Sequence, residues 1–223
     1  MTITRALCIL VLMAPAAASA ASSDEASCRN GLFPIQNRQI GLGVIVGSER
    51  AHFVDDTARC PSFASECRKQ AYLVEGDHVL TGRTRGKFVC VFYPSRGGGT
   101  AAWLDAARFR ALPVQPNPPS SAWLGRWSAE GNPRVRFMMG PAGLRVEGEA
   151  AWPSFNPPVD QFLGGGHVGE VGEAVRISGN KAFALECDIT FTLLGDFLVA
   201  ADPTGLCGGA NVRFTAVYRR AAR

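Results

Sequence analysis

The sequence has little of what most catalytic and metal sites need. It contains only three histidines, no Cys-x-x-Cys pair and no Gly-x-Ser-x-Gly segment. Zinc sites draw on closely spaced Cys and His residues, so their usual spacing is absent. The nucleophile elbow of the α/β-hydrolases is absent as well. We therefore predict that the protein is not an enzyme and that it requires no cofactor and no metal.

Strong charge of either sign is also lacking. The net charge of the full chain is only +4, and lysine occurs only at positions 69, 87 and 181. Nucleic-acid binding requires a dense basic patch, so we predict no nucleic-acid partner. Glu147 and Glu149 alternate along one predicted strand beside Arg145, opposite the expected core face. This position favours a solvated surface over a pair of catalytic carboxylates.

Long apolar runs are absent after the first twenty residues. Met1–Arg5 carries one positive charge, Ala6–Ala18 is apolar, and Ala18-Ser19-Ala20 is typical of a cleavage site. This pattern predicts a signal peptide over residues 1–20, because an ordinary membrane span needs about 20 apolar residues. We expect a periplasmic or secreted protein that has no integral membrane segment after signal removal.

Cysteine is not scarce. Six cysteines follow the predicted signal peptide, and an even number in an exported chain is typical of a disulfide framework. Four lie in the first half of the mature chain and two in the second. The simplest assignment keeps each bridge within one half: Cys28–Cys90, Cys60–Cys67 and Cys187–Cys207. The other two pairings among the first four cysteines remain open.

The segment from Leu112 to Ser121, LPVQPNPPSS, marks the clearest boundary. Proline cannot continue a helix or a central strand, so this segment predicts an extended, semi-rigid linker over 113–120. We place a first domain at 27–112 and a second at 121–223, both built from strands. The predicted fold class is all-β.

The first domain shows five short strands with glycine-containing turns and one helical turn at 105–109, a pattern that describes a small barrel. The segments Gly76-Asp77, Gly86, Val89–Tyr93 and Trp103-Leu104 resemble bacterial SH3-like domains of the SH3b type. This resemblance implies a binding module for cell-wall peptide or glycan. The cysteines of this region are additions to the ordinary domain.

Aromatic residues supply the candidate binding groove of this domain. Tyr93, Trp103 and the neighbouring Arg96 lie in the strands and loops that line the groove of SH3-like barrels, so we expect them to contact a ligand. The alternative for Trp103 is a place in the core.

The second domain opens with Trp123-Leu124-Gly125-Arg126-Trp127, which resembles the first strand of lipocalin-like and avidin-like barrels. That resemblance implies a barrel whose floor is plugged by an indole. Alternation at 144–150 and 212–218 predicts an antiparallel barrel or sandwich of six to eight strands. The loop FLGGGHVGE is its most site-like stretch, and we expect His167 within it to lie at a barrel mouth.

Three functions remain open. The first is an exported, non-enzymatic binding protein that recognises cell-wall material or a protein partner, for example as an inhibitor of a wall-directed enzyme. The second is a small-molecule or lipid carrier that uses the second barrel. The third is a hydrolase with an unrecognised site. A hollow barrel interior would favour the carrier over the interaction protein.

Overall fold

The computed structural model describes residues 27–37, 39–57, 59–95, 98–129, 133–152, 166–209 and 211–221. The predicted signal peptide and Arg96 lie outside these described residues. The described part of the chain forms sixteen strands, two α-helices of four residues and two 3-10 turns. The prediction of an all-β fold is therefore confirmed.

The first sheet has seven antiparallel strands in the order β3-β2-β6-β5-β4-β1-β7. Helix α1 (Phe33–Gln36) precedes it, and 3-10 turns form at Ser65–Cys67 and Ala106–Arg108. The sequence predicts five of these strands and the second turn, but not β1 and β7. The strands are β1 (Gly41–Ile45), β2 (Ala51–Val54), β3 (Arg68–Leu73), β4 (His78–Arg85), β5 (Phe88–Tyr93), β6 (Thr100–Asp105) and β7 (Phe109–Leu112).

Strand β1 is hard to predict because two of its five residues are glycines, which have low β propensity. The two strands that pair with β1 explain why these positions are glycines. A Cβ atom on Gly43 would lie 2.8 Å from the ring of Phe109 in β7, and one on Gly41 would lie 2.9 Å from the Thr81 hydroxyl in β4. The glycines let β1 lie between β4 and β7, so tertiary packing decides this strand.

The second sheet has nine antiparallel strands in the order β11-β10-β9-β8-β16-β15-β14-β13-β12. Helix α2 (Ser120–Trp123) precedes β8, so Trp123 lies in a helix and not in the predicted first strand. The strands are β8 (Gly125–Ser128), β9 (Arg134–Gly140), β10 (Gly143–Trp152), β11 (His167–Ala174), β12 (Arg176–Ser178), β13 (Lys181–Ala184), β14 (Ile189–Leu194), β15 (Phe197–Ala201) and β16 (Ala216–Arg220).

This sheet forms a nearly closed barrel. The first strand, β8, pairs with the last, β16, through Trp127↔Arg220 and Ser128↔Arg219. At the other side, β11 runs through the single residue Val175 into β12, so one bent strand supplies both ends of the sheet. The bend raises the number of strands to nine, one more than the predicted upper limit.

Buried side chains occupy the barrel interior. At the α2 end, the indole of Trp127 is fully buried and donates a hydrogen bond to the Trp123 carbonyl at 2.9 Å. The Arg220 guanidinium covers this ring, 4.1 Å from its centroid. At the opposite end, Val212 and Phe214 are buried in the same core cluster. The barrel is therefore packed with side chains and plugged at both ends.

The predicted last strand over 212–218 is wrong in its first half, because β16 begins at Ala216. Buried Asp202 is the reason: one carboxylate oxygen accepts the Phe214 N–H at 3.0 Å, and the other accepts the Gly205 N–H at 2.7 Å. These bonds replace strand pairing and fold the segment into the barrel end.

Tyr218 makes stability sensitive to alkaline pH. Its hydroxyl is fully buried and donates to the Phe214 carbonyl at 2.7 Å. Burial, and then the charge of Asp202, raise the pKa of Tyr218 above its ordinary value of 10.0. The folded state therefore keeps a proton that the unfolded state loses above pH ~10. We expect the free energy of unfolding to fall by about 1.4 kcal/mol per pH unit above that point.

Equilibrium unfolding in urea between pH 8 and 11 measures this dependence. The Tyr218→Phe variant is the control, because it removes the titrating hydroxyl and should flatten the alkaline slope. An equal slope in the variant and the wild type would show that another group is responsible.

The three disulfides are the predicted pairs, Cys28–Cys90, Cys60–Cys67 and Cys187–Cys207. The first ties the segment before α1 to strand β5, across 62 residues of sequence. The third joins the β13–β14 turn to the loop after β15, at the barrel end that Phe214 plugs. The three bridges indicate an oxidising, extracytoplasmic environment.

Candidate functional site

The two sheets pack against each other through an apolar contact. Leu194 and Val199 from the barrel share one buried cluster with Leu80 and Phe92 from the first sheet. Val114, within the proline-rich segment, is partly buried against the same cluster. The proline-rich segment therefore connects two sheets that also contact each other directly.

A cleft opens where this contact ends. We call it the inter-sheet cleft and define it by Tyr93, Pro94, Asp196, Phe197 and Arg219. Tyr93 ends β5, Phe197 begins β15, and Arg219 lies near the end of β16. Ligand sites often lie at such junctions between structural units.

Arg219 is the side chain that organises the cleft. Its guanidinium donates a hydrogen bond to the Pro94 carbonyl and lies 5.2 Å from the centroid of the Phe197 ring. It lines both of the two pockets of the cleft, which have volumes of about 760 and 550 Å³, and so do Tyr93 and Pro94. A ligand in either pocket would therefore meet the same aromatic and cationic groups.

The larger pocket carries mixed charge. His78 and Asp77 line one side, and Asp196 and Arg219 line the other. The Asp77 carboxylate accepts the Val74 N–H at 2.8 Å, which is the ordinary role of an acidic residue in a turn. The imidazole and the Asp196 carboxylate remain as polar groups that a ligand can contact.

The smaller pocket is lined by small and apolar groups, among them Ser95, Gly98, Ser128 and Val217. The predicted contact Arg96 lies outside the described residues. Tyr93 is half-buried between the two pockets. An aromatic ring, a guanidinium and small neighbours suit recognition of a flat sugar ring or a peptide with a carboxylate.

The structure contradicts one predicted binding residue and places another in a strand instead of the predicted loop. Trp103 is fully buried, and its indole donates to the Asp56 carboxylate at 2.9 Å, so it is a core residue and not a groove contact. His167 is exposed, but it lies in strand β11 opposite Trp152 rather than in a loop. The pairing of β11 with β10 extends to Trp152, the last residue of β10, and it places His167 in the strand. His167 therefore belongs to the second sheet and does not line the inter-sheet cleft.

No protein-family model, no curated protein and no solved structure matches the chain. The described residues contain no helix of the length and apolar character that crossing a bilayer requires. Within the same residues, no three His, Cys, Asp or Glu side chains are grouped so that they could hold a metal ion.

Sequence reasoning missed Arg219 and Phe197. Arg219 meets Pro94 across 125 residues of sequence, and no local pattern indicates such a contact. Their only signal in the sequence is their position. Phe197 follows the predicted turn Gly195-Asp196, and Arg219 follows the predicted strand over 212–218. Functional side chains are frequent at such places.

Proposed function

We propose that the protein is an exported, non-enzymatic binding protein, periplasmic or secreted, that recognises cell-wall material at the inter-sheet cleft. The observation that carries this proposal is the juxtaposition of the half-buried Tyr93 ring with the guanidinium of Arg219. Cell-wall glycan and its peptides offer flat sugar faces and free carboxylates. The Tyr93 ring suits a flat sugar face, and the Arg219 guanidinium suits a free carboxylate.

The position of Arg219 supports recognition, because its contacts to Pro94 and Phe197 hold it in place before a ligand arrives. Little side-chain entropy is then lost on binding. The SH3-like resemblance of the first domain points to the same ligand class. The filled barrel interior supplies no comparable support for a carrier.

Truncation of Tyr93 tests the proposal. We expect Tyr93→Ala to weaken binding to soluble muropeptides about tenfold, because loss of an aromatic contact in a binding site commonly costs more than about 1 kcal/mol. Isothermal titration calorimetry measures the affinity, and co-sedimentation with purified peptidoglycan measures retention.

Phe63→Ala is the matched control, since Phe63 is an exposed aromatic residue that does not line the cleft. Equal affinity of the wild type and Tyr93→Ala would contradict a role for the cleft. Absence of binding to any wall fragment would contradict the proposed ligand class.

A protein partner is the second candidate, and Phe63 favours it. This side chain is 64% exposed on the loop closed by Cys60–Cys67, and its ring lies 4.8 Å from that of Phe88. A rigidly held, exposed aromatic residue is a frequent anchor in protein interfaces. Inhibition of a lysozyme that is lost in Phe63→Ala but kept in Tyr93→Ala would favour this candidate over the first.

A further inference from the structure

The outer face of strands β8 to β11 carries charges that are sorted by sign. Arg126 lies on β8, Arg134 and Arg136 lie on β9, Glu149 lies on β10, and Glu170 lies on β11, all exposed. Together they line a groove of about 470 Å³, which we call the charge-sorted groove. None of these five residues lines the inter-sheet cleft.

The strand register places like charges side by side. Arg126 is directly opposite Arg136, and Glu149 is directly opposite Glu170. Like charges in directly opposite positions destabilise a sheet, whereas an alternating arrangement of the same residues would stabilise it. The register also places Arg136 opposite Glu147 and Arg134 opposite Glu149, and these two opposite-charged pairs between the walls offset the two like-charged pairs within them.

These five charged side chains are also available to contact a ligand. In the described part of the chain, none of the five side chains forms an ion pair, although Arg134 is directly opposite Glu149. Glu147 is different, because its carboxylate lies 3.3 Å from the Arg145 guanidinium. Glu149 and Glu170 are thus the carboxylates that a ligand can meet.

The separation of the two walls defines the size of the ligand. Adjacent strands are about 4.8 Å apart, and Arg134, Glu149 and Glu170 lie in one cross-strand row. Arg134 is therefore about 5 Å from Glu149 and about 10 Å from Glu170 along the sheet. Three extended residues span about the longer of these distances. The groove volume also falls within the usual range for small-ligand sites.

We propose that the charge-sorted groove binds a short peptide in its zwitterionic form, with the C-terminal carboxylate at the arginine wall and the N-terminal ammonium at the glutamate wall. The opposite charges of the two walls match the opposite ends of such a peptide. A tripeptide fits the spacing. This site is independent of the function proposed for the inter-sheet cleft.

The experiment uses trialanine and three blocked forms: N-acetylated, C-amidated, and blocked at both ends. Isothermal titration calorimetry of the full mature protein gives the four affinities. We expect each single block to weaken binding about fivefold and the double block about 25-fold, since exposed charge pairs contribute modestly. Raising the salt concentration should weaken the binding of trialanine most, that of the two singly blocked forms less, and that of the doubly blocked form not at all.

Two variants assign each end of the peptide. Arg134→Gln should reduce the effect of C-amidation and keep that of N-acetylation, and Glu170→Gln should do the reverse. Arg110→Gln, an exposed arginine of β7, is the matched control and should leave all four affinities unchanged. Such surface changes alter stability little, so the variants should fold.

Equal affinities for the four peptides, or no binding of trialanine, would overturn the proposal. Sedimentation analysis excludes a competing occupant. A mass that doubles with protein concentration, and that returns to the monomer in Arg134→Gln, would assign the groove to a second copy of the chain and overturn the peptide assignment.

Discussion

Replacing Cys28 and Cys90 with alanine is expected to lower the free energy of unfolding by about 4 kcal/mol, the largest loss among the three disulfides. A disulfide restricts the unfolded chain more as the loop it closes grows longer. Cys28–Cys90 spans 62 residues, Cys187–Cys207 spans 20, and Cys60–Cys67 spans 7. The same relation gives losses of about 3 kcal/mol for Cys187–Cys207 and about 2.5 kcal/mol for Cys60–Cys67.

Urea unfolding of the three double-alanine variants, followed by circular dichroism, measures this order. The Cys60→Ala/Cys67→Ala variant is the internal control, because it removes the same chemical group from the shortest loop. If its loss equals or exceeds that of the Cys28→Ala/Cys90→Ala variant, loop entropy does not dominate and native contacts of the short loop decide the stability.

Trp127→Ala is expected to destabilise the barrel by about 4 kcal/mol, within the range for large aromatic residues in a core. The substitution empties the barrel floor and removes the hydrogen bond to the Trp123 carbonyl. It also removes the ring beneath the Arg220 guanidinium, which donates to the carbonyls of Ala122 and Leu124. Strand β8, helix α2 and the end of β16 would all lose contacts.

Trp127→Phe separates packing from hydrogen bonding. It keeps most of the ring volume but loses the Nε1–H donor, so we expect a loss of about 2 kcal/mol. Chemical unfolding monitored by circular dichroism gives both values. A loss below about 1 kcal/mol in Trp127→Ala would show that the floor of the barrel repacks and that the indole is not its main support.

Local patterns in the sequence predict much of the barrel. The alternation of Leu144, Val146 and Ala150 identifies the face that the structure buries, because side chains alternate between the two faces of a strand. The same alternation predicts the exposed faces of Glu147 and Glu149. Where a side chain competes with strand pairing, as Asp202 does for the Phe214 N–H, alternation persists but the strand is lost.

The candidate site is predicted less well. The sequence indicates Tyr93 through its neighbours, but it also indicates Trp103, which the sheet contact buries. An aromatic residue in a strand has the same local pattern whether it faces a ligand or the core. The difference depends on which element packs above it, and that element is distant in sequence.

The all-β class follows from features that the sequence displays by itself, and the structure confirms it. The sequence offers the observed disulfide pairs as the simplest of three assignments for the first four cysteines, and the structure decides among them. Export stays a prediction from the first twenty residues. Composition, the alternation of apolar and polar residues, and cysteine spacing are properties of the sequence itself, so they can be recognised without the tertiary structure. The inter-sheet cleft and the charge-sorted groove depend on tertiary structure alone. Arg219 reaches Pro94, and Arg126 lies beside Arg136, only because barrel closure and sheet packing decide which distant segments become neighbours.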